Sequence, residues 1–530
     1  MAVYVYIDVS QKQEFIYKDN RLKDNLYNSF IIKAITEKTE PGSAKVKILT
    51  DAFKDPAKEN EPWWLSGYLE HKHKGEYRFV YSGGGNSIIR FEAEDKAREF
   101  IANYSRKIVI DYPALELYLT YVPDLGANSP KDARQIRWEL RAVLDRLKDS
   151  RKSRFRRWSY GVEEIDDTGR AKPIKAKQEP DYDAARKFMV FDLESTPEFD
   201  SRLLKITNEL QDYGNRETGK SYLGVIAIDG NRMGEMVAGV KDFAELETLS
   251  AEIERIYRTA VAKALAKNAA RRGADTLEVP DRMLVTPVLM AGDDICLIVE
   301  AEEAIRLAAD ILKYIGENTK SQEGRAEERK PGQLSGLTAC AGVAIARNTY
   351  PFFETVKAAE RLCHRAKEAM HQVGGQAAAG SFLDWEILQG QVQRPDYEGQ
   401  VRHGSYQESF HIKPLRIDQA EAVSGSGMYS YDGFSRILDG LGSSEAISSS
   451  FLAELKNAMY AGIEQYRLIW EMNHTAGSEE LNRLVNSVVG EERCPYGVMQ
   501  SQSQGKTRYT YLLNDILELK PFMTRGGERP

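Results

Sequence analysis

Short apolar strands and amphipathic helices alternate through the first quarter of this 530-residue chain. Residues 3–9 (VYVYIDV) are β-branched and aromatic, which predicts a buried strand that carries Asp8 near its end. Glycines 83 to 85 predict a hairpin turn, because glycine readily adopts the positive φ angles that tight turns use. The predicted elements are a strand over 3–9, a helix from about Asn20, strands over 77–82 and 87–92, a helix over 93–111 and a strand over 114–122.

The same order of elements recurs from residue 222. A repeated order within one chain predicts a repeated structural unit. Strand, helix, hairpin, helix and strand is the order of a ferredoxin-like domain, so we expect an α+β protein with two ferredoxin-like palm domains. The second copy is predicted as strand 222–228, helix 242–270, strands 283–290 and 295–300, helix 302–316, strand 337–346 and helix 353–372.

Four regions follow from these patterns. We expect a first palm domain over 1–125, a helical and basic connector over 126–220, a second palm domain over 221–376 and a mostly helical C-terminal domain over 377–530. Within the connector, residues 163–187 are polar and predict an exposed excursion. The helical prediction for the last region rests on amphipathic spacing at Phe451, Leu452, Leu455, Met459 and Ile463.

Composition and charge narrow the class of protein. With 42% apolar residues and a formal net charge of −7, the chain is typical of folded globular proteins and carries no global sign of nucleic-acid or membrane binding. The N-terminus lacks a signal-peptide pattern and no apolar run reaches about 18 residues, so we expect a cytoplasmic protein without a membrane partner. No CxxC pair occurs, which predicts reduced core residues at Cys296, Cys340, Cys363 and Cys494.

One local stretch is strongly basic. Two aromatic residues, Phe155 and Trp158, are interleaved with cationic side chains and could stack on bases while the cations hold a phosphate backbone. A solvated helix face anchored by its aromatics explains the same pattern, and both interpretations stay open. The cationic residues are Lys148, Arg151, Lys152, Arg154, Arg156 and Arg157.

The candidate chemistry lies in the second palm. Asp229 ends its first predicted strand, and Asp293 and Asp294 occupy the hairpin turn, which lies beside the end of that strand in a ferredoxin-like sheet. Carboxylates are the ligands that hard divalent cations prefer, and two Mg²⁺ or Mn²⁺ ions support nucleotidyl transfer. Gly230, Asn231 and Gly292 would let a triphosphate approach the backbone, although Gly-Asp is also ordinary turn chemistry.

The first palm lacks two of these acids. Aligning the hairpins places Gly85 opposite Asp293 and Asn86 opposite Asp294, which leaves Asp8 alone. One carboxylate cannot hold two metal ions, so we expect a catalytically silent copy. Gly84, Gly85 and Asn86 form either a platform for nucleotide or only a tight turn.

Several motifs together resemble the large polymerase-like subunit of type III CRISPR effector complexes. They are IDVSQKQEFIY in the first palm, and IDGNRMGEMV, MAGDDICLI and AGVAIARNTYPFFETVKAAERLCHRAKE in the second. The resemblance implies that the second palm converts ATP into cyclic oligoadenylates when a complex containing crRNA and other subunits binds target RNA. The family's GGDD turn is here Ala291-Gly292-Asp293-Asp294.

The same resemblance implies roles for individual residues. Asp229 corresponds to the first-strand metal ligand, Lys367 to a lysine directed at phosphates, and Ser10 and Asn231 to nucleotide contacts. No His-Asp pair and no cysteine-rich zinc segment occur, so we expect a form without the family's HD nuclease domain. A stand-alone cyclic nucleotide synthase and a catalytically residual RNA-binding scaffold remain as alternatives.

Overall fold

The fold is known from a computed structural model of the chain. It describes residues 1–53, 62, 64–124, 132–151, 180–213, 221–273, 282–319, 336–372, 380–388, 400–402, 406–417, 430–473, 475–489, 494–503 and 505–522. Most of the basic stretch lies outside these ranges, namely Lys152, Arg154, Arg156 and Arg157, together with the side chain of Arg151. RNA binding by those residues therefore stays a prediction.

The N-terminal region is an antiparallel sheet of four strands in the order β2-β3-β1-β4, the order of a ferredoxin-like fold. Helix α5 packs on this sheet because its apolar residues recur every three or four positions. The elements are β1 Val3–Ser10, α1 Lys12–Ile16, α2 Leu22–Thr36, α3 Ala44–Ala52, α4 Leu65–Lys72, β2 Tyr77–Gly83, β3 Asn86–Phe91, α5 Glu94–Asp111 and β4 Glu116–Pro123.

Two helices connect the palms. Helix α6 packs on β4 and β1 of the first palm, and α7 packs on α2 and α3. The side chain of Asp181 caps α7 by accepting a hydrogen bond from the backbone of Ala184 at 2.9 Å. The elements are α6 Ala133–Arg151, α7 Tyr182–Glu194, β5 Leu204–Ile206 and a 3₁₀ turn at Leu210–Tyr213.

The second palm repeats the strand order of the first. Its central strands run β9-β6-β8-β7 in antiparallel pairs, within a seven-stranded sheet ordered β13-β10-β9-β6-β8-β7-β5. The elements are β6 Tyr222–Gly230, α8 Met233–Gly239, α9 Phe243–Gly273, β7 Met283–Ala291, β8 Asp294–Glu300, α10 Ala301–Thr319, β9 Ala339–Arg347 and α11 Phe352–Gln372. The α+β class with two ferredoxin-like palms and C-terminal helices is confirmed.

The region after the second palm contains more β-structure than its helical prediction. β10 pairs with β9 and β13 pairs with β10, so residues beyond the expected boundary at 376 extend the palm sheet. A separate sheet has the order β11-β12-β15-β14. The elements are β10 Phe382–Ile387, β11 Gln400–Arg402, β12 Tyr406–Ser409, β13 Leu415–Arg416, α12 Tyr431–Ser443, α13 Ser449–Ala461, α14 Ile463–Met472, α15 Ala476–Val489, β14 Val498–Ser503, β15 Lys506–Tyr511, α16 Leu513–Leu519, and 3₁₀ turns at Pro495–Gly497 and Lys520–Phe522.

The second palm sheet is buried on both faces. Successive residues of β6 point to opposite sides, so Val225 and Ala227 join a core shared with the first palm while Ile226 and Ile228 pack towards α9 and α10. Helix α2 of the first palm contacts β7 of the second, and α9 contacts β2. The two palms therefore share one hydrophobic core.

Two expectations from the sequence concern the cysteines and membrane-spanning helices. The cysteines Cys296, Cys340, Cys363 and Cys494 are all buried, as predicted for core residues. None of the helices in the described part of the chain is long and apolar enough to cross a membrane.

The contact between β9 and α11 depends on Gly342. A Cβ atom built at Gly342 would lie 2.0 Å from the backbone oxygen of Ala359 and 2.3 Å from the backbone nitrogen of Cys363. Because both neighbours are backbone atoms, no side-chain rotation relieves the clash. The absence of a side chain therefore lets α11 pack directly on the sheet.

We predict that Gly342→Ala lowers the free energy of unfolding by about 1–3 kcal/mol or more, because α11 must move away from β9. Urea or thermal unfolding measures this change. Gly316→Ala in α10 is the matched control: nothing lies within 4 Å of its added methyl group, and the change is neutral or stabilising by up to about 1 kcal/mol. Equal losses in the two variants would contradict the proposed close packing.

Candidate active site

The central strand of the second palm brings Asp229 to one edge of the sheet. Ile228 pairs with Ile295 across β6 and β8, so the next register position places Asp229 opposite Asp294. On its other side Asp229 pairs with Cys340 of β9. The Asp229 side chain is half exposed, at 51% of its surface. It is therefore open to solvent although its strand is central.

The hairpin between β7 and β8 carries the other two acids. Its two central residues are Gly292 and Asp293, and Gly292 alone of these two has a positive φ, at +67°. This arrangement matches a type II′ turn, which takes glycine at its first central position. Asp293 and Asp294 are thereby held at the tip of the hairpin beside Asp229.

The backbone at Gly230 fixes the approach of Asp293. A Cβ atom at Gly230 would lie 2.8 Å from Oδ2 of Asp293, 2.7 Å from the hydroxyl of Tyr257 and 2.6 Å from Cε of Met233. The Gly230 backbone N–H also hydrogen-bonds to the Asp293 carboxylate. This hydrogen bond lowers the pKa of Asp293, whereas desolvation and the charge of Asp229 raise it. Any side chain at position 230 would push the Asp293 carboxylate away from the strand.

Lys367 supplies a positive charge at this edge. Its Nζ lies 2.6 Å from Oδ2 of Asp229 and donates a hydrogen bond to the backbone oxygen of Gly230 at 3.0 Å. The lysine projects from α11, the helix that Gly342 allows to pack on the sheet. One lysine therefore faces a group of three carboxylates.

Crowding of the acids shifts their protonation. Desolvation, followed by the charges of Asp229, Asp293 and Glu360, raises the pKa of Asp294 to about 7. Desolvation and the charge of Asp229 also raise the pKa of Asp293. Glu360, on the same helix as Lys367, has its pKa raised to about 7 by burial. Asp294 nevertheless remains accessible to solvent at the tip of the turn.

The donor set fits hard divalent cations. Three carboxylates offer only oxygen ligands, and their excess negative charge is of the kind that Mg²⁺ or Mn²⁺ compensates. The ligand atoms of the three acids do not all lie within 4.8 Å of one another, since Asp229 is turned towards Lys367. A two-ion site distributes its ligands more widely than a single-ion site, so this spacing is compatible with the pair of ions that we expected.

Asn231 is buried behind the acids. Its backbone N–H donates to the oxygen of Thr338 at 2.9 Å, and its side-chain amide donates to Thr338 Oγ1 at 2.9 Å and to the oxygen of Gly380 at 3.2 Å. The side chain keeps only 5% of its surface exposed. Asn231 thus braces the end of β6 from within, and its expected contact with nucleotide stays a proposal.

The first palm has a different turn at the equivalent place. Asp8 pairs with Asn86 across β1 and β3, which is the register position that Asp294 holds in the second palm. Gly84 and Gly85 both have positive φ angles, +63° and +72°, as a type I′ turn requires. Ser10 ends β1 opposite Glu116.

Lysines surround Asp8 where the second palm has acids. Lys148 Nζ lies 2.6 Å from one carboxylate oxygen of Asp8, and Lys12 Nζ lies 3.3 Å from the other. Lys12 also donates to the backbone oxygen of Gly84 at 2.9 Å. The first-strand acid of the first palm is therefore paired with two ammonium groups, and hairpin residues 83–86 contribute no second acid.

Lys148 is the counterpart of Lys367 in the internal repeat. Each lysine comes fifteen residues after the first residue of its helix, Ala133 or Phe352, and each lies 2.6 Å from the first-strand acid of its palm. Lys148 belongs to the basic stretch for which RNA binding and a solvated helix face both stay open. The structure gives it an ion pair with Asp8, a contact that comparison of the two helices could have indicated.

Sequence reasoning missed two other residues at these turns. Lys12 stands four residues after Asp8, but Asp8 lies on a strand and Lys12 begins a helix, so no regular spacing marks their contact. Tyr257 lies on α9 with its hydroxyl buried beneath Gly230, and its place follows only from the packing of α9 on the sheet. No local pattern marks Tyr257.

A second polar cluster lies in the C-terminal region. Ligand atoms of His411, Asp515 and Glu518 all lie within 4.8 Å of one another. Lys413 lies 3.5 Å from Asp515 and 3.8 Å from Glu518 and is almost fully buried. The ammonium group already compensates the carboxylates, so the cluster acts as a buried ion pair that joins the segment before β13 to α16.

The second palm carries acids at the end of its first strand and at its hairpin turn. This arrangement defines a polymerase- or cyclase-type palm. Residues 222–372 match the family model described as Cas10/Cmr2, second palm domain. This part of the chain is therefore similar to the second palm domain of that family, which confirms the resemblance to the large subunit of type III CRISPR effector complexes.

Solved structures give more distant likenesses. An apo Csm1-Csm4 cassette is 14% identical with a TM-score of 0.43, covering 69% of this chain and 53% of that one. The cassette in complex with cA3 is 13% identical with a TM-score of 0.42 and the same coverage. Csm1 in T. onnurineus is 15% identical with a TM-score of 0.40, covering 72% and 52%. This chain thus spans about half the length of those proteins. No curated protein matches it significantly.

We predict that Gly230→Ala weakens Mn²⁺ binding by about tenfold or more, because the added methyl group displaces the Asp293 carboxylate. Isothermal titration calorimetry with Mn²⁺ measures the affinity. Gly234→Ala, in the helix that follows, is the control, since nothing lies within 4 Å of its added methyl group. Equal affinities in the two variants would show that Asp293 does not depend on this contact.

We predict that Asp515→Asn lowers the free energy of unfolding by about 3–5 kcal/mol, because it leaves Lys413 buried with only the more distant and partly exposed Glu518 as its counter-charge. Burial by itself raises the pKa of Asp515, but Lys413, His411 and the backbone N–H of Ile412 outweigh it and the pKa lies below its ordinary value. The stabilisation is therefore complete above about pH 5 and lost as the pH falls below about 4.

Chemical denaturation of both proteins between pH 3 and pH 7 measures this difference. The control is Asp432→Asn, whose ion pair with Lys313 is about one-third exposed and contributes less than about 1 kcal/mol. A loss for Asp515→Asn that is as small as the control's would contradict the buried ion pair.

Proposed function

We propose that this chain is a metal-dependent nucleotidyltransferase that converts ATP into cyclic oligoadenylates as the large subunit of a type III CRISPR effector complex. The observation that carries the proposal is the grouping of Asp229, Asp293 and Asp294 around one lysine. This grouping lies in the domain that matches the Cas10/Cmr2 second palm.

The three acids and Lys367 have different proposed roles. Asp229, Asp293 and Asp294 hold two Mg²⁺ or Mn²⁺ ions, which when bound activate a 3′-hydroxyl and offset charge on the α-phosphate and the departing pyrophosphate. Lys367 exchanges its contact with Asp229 for phosphate oxygens. Gly230 and Gly292 present backbone without side chains, which leaves room for a triphosphate.

The first palm supplies the other half of the site. Ser10, Gly84, Gly85 and Asn86 lie around the turn of this palm, and Lys12 adds a positive charge there. Because ammonium groups neutralise Asp8, we propose that this palm holds nucleotide without metal ions and performs no chemistry. The shared core of the palms keeps the two turns in one rigid arrangement.

Ala291 replaces the first glycine of the family's turn. It pairs with Asp294 at the last position of the β7–β8 ladder, just outside the two central residues of the turn. The change keeps both acids and adds a methyl group to the approach of the phosphates. We therefore propose that it lowers the efficiency of the reaction without abolishing it.

The partners of the proposed complex are crRNA, target RNA and the other type III subunits. The basic stretch around residues 151–157 is the proposed RNA contact. This part of the proposal rests on the confirmed family resemblance of the second palm.

We predict that the chain, together with co-purified subunits and target RNA, releases pyrophosphate and forms a cyclic adenylate when incubated with ATP and Mg²⁺ or Mn²⁺. Asp293→Asn combined with Asp294→Asn lowers the rate by more than about 100-fold, since transition-state charge is no longer compensated. Mass spectrometry identifies the product, and chelation of the metal stops the reaction. Asp200→Asn, a surface acid paired with Arg202, is the control.

The setting of the activity decides between the alternatives. Product from the isolated chain indicates a synthase that works without a complex. Product only with co-purified subunits and target RNA indicates the effector-complex role. No product in either setting contradicts the enzyme and leaves the RNA-binding scaffold.

A further inference from the structure

The end of α2 is hydrogen-bonded to the hairpin of the first palm. The Thr36 backbone oxygen accepts from Ser87 Oγ at 2.6 Å, and Glu37 Oε1 accepts from the backbone N–H of Gly85 at 2.7 Å. Immediately after the helix, the backbone N–H of Lys38 donates to Ser82 Oγ at 2.7 Å. Three contacts thus secure the first turn to one end of α2.

The same helix also reaches the second palm. Lys33 Nζ donates to the backbone oxygen of Met290 at 2.7 Å. Met290 immediately precedes the Ala291-Gly292-Asp293-Asp294 turn and pairs with Ile295 in the hairpin. Strand β5 pairs with β7 only at residues 283–285, so within the described residues no strand covers the outer edge of β7 near the turn. Lys33 supplies a donor there.

The two anchors are one helical turn apart. Lys33 and Glu37 are separated by four residues, which in an α-helix is a rise of about 6 Å along the axis. Helix α2 is rigidly held, since eleven of its residues are buried, among them Phe30, Ile31 and Ile35. A single buried helix therefore connects the turn that carries the metal-binding acids to the glycine turn of the first palm.

The contact of Lys33 is a hydrogen bond to backbone and no ion pair. Among the described residues no carboxylate lies within 4.0 Å of Lys33 Nζ, although the side chain is partly buried between the palms. Burying part of an ammonium group without a carboxylate partner costs free energy unless the group is hydrogen-bonded. The hydrogen bond to Met290 offsets this cost and fixes the end of β7.

We infer that Lys33 is a positioning residue, which sets the acid-bearing turn of the second palm against the glycine turn of the first and so aligns the two nucleotides for reaction. The inference rests on the proposed function. Joining two nucleotides requires their reacting atoms to be held about 3–3.5 Å apart, and a displacement of about 1 Å can cost 100-fold in rate. A residue that fixes the spacing of the turns acts on this step without touching the substrate.

The test compares Lys33→Met, Lys33→Arg and Lys23→Met. Lys33→Met keeps the length of the side chain but removes the donor, and we expect kcat to fall about 10- to 100-fold. Binding of a non-reactive ATP analogue with Mn²⁺ stays within about twofold, because Asp229, Asp293 and Asp294 keep their positions relative to one another within the second palm. Lys33→Arg restores a donor and recovers most of the rate. Lys23→Met, on the same helix and paired with Glu209, leaves the rate unchanged.

Amide hydrogen exchange gives a second measurement that needs no activity. Lys33→Met is expected to speed exchange in residues 286–295 and to leave residues 82–87 unchanged, because the contacts of Thr36, Glu37 and Lys38 persist. If the wild-type protein forms no product, the proposed function fails while faster exchange still supports the link. If it is active but Lys33→Met matches Lys23→Met in rate and exchange, or if Lys33→Met weakens binding as much as it lowers kcat, the inference is wrong.

Discussion

The repulsion between the carboxylates of Asp229, Asp293 and Asp294 is the interaction on which the candidate site of the second palm depends. Desolvation and the neighbouring acids raise the pKa values of Asp293 and Asp294, so the fold holds an unfavourable arrangement of negative charge of the kind that a bound divalent cation would relieve. Holding these groups together requires rigid surroundings, which a strand buried on both faces and the close approach at Gly230 provide. Lys367 offsets part of the charge because Gly342 lets its helix pack directly on the sheet.

The two palms show how one scaffold carries opposite electrostatics. Strand order and hairpin register are the same, and a lysine at the same place in the following helix meets the first-strand acid in both. The first palm has no acid in its turn and has Lys12 beside Asp8, so its first-strand carboxylate is neutralised. The turn types differ as well, type II′ in the second palm and type I′ in the first, in keeping with the glycines at positions 84 and 85.

Most of the palm architecture could be predicted because its strands and helices have strong local patterns. The short apolar runs of β1 and β6 and the 3.6-residue period of α5 gave elements within a few residues of those observed. The sheet of β11, β12, β14 and β15 was missed because its described strands are short and polar, as in the segment VMQSQS, and carry little hydrophobic alternation. Strand β13 is only two residues long, so its sequence does not show that it extends the palm sheet.

The sequence by itself determined which acids stand at the ends of the strands and in the turn, because strand period and glycine turns are local properties of the chain. Tertiary structure alone decided their partners. Lys148 reaches Asp8 across 140 residues, and Lys33 reaches Met290 across 257. Contacts at such separations depend on how helices pack on sheets and how the two palms share a core, and no periodicity in the sequence encodes that geometry.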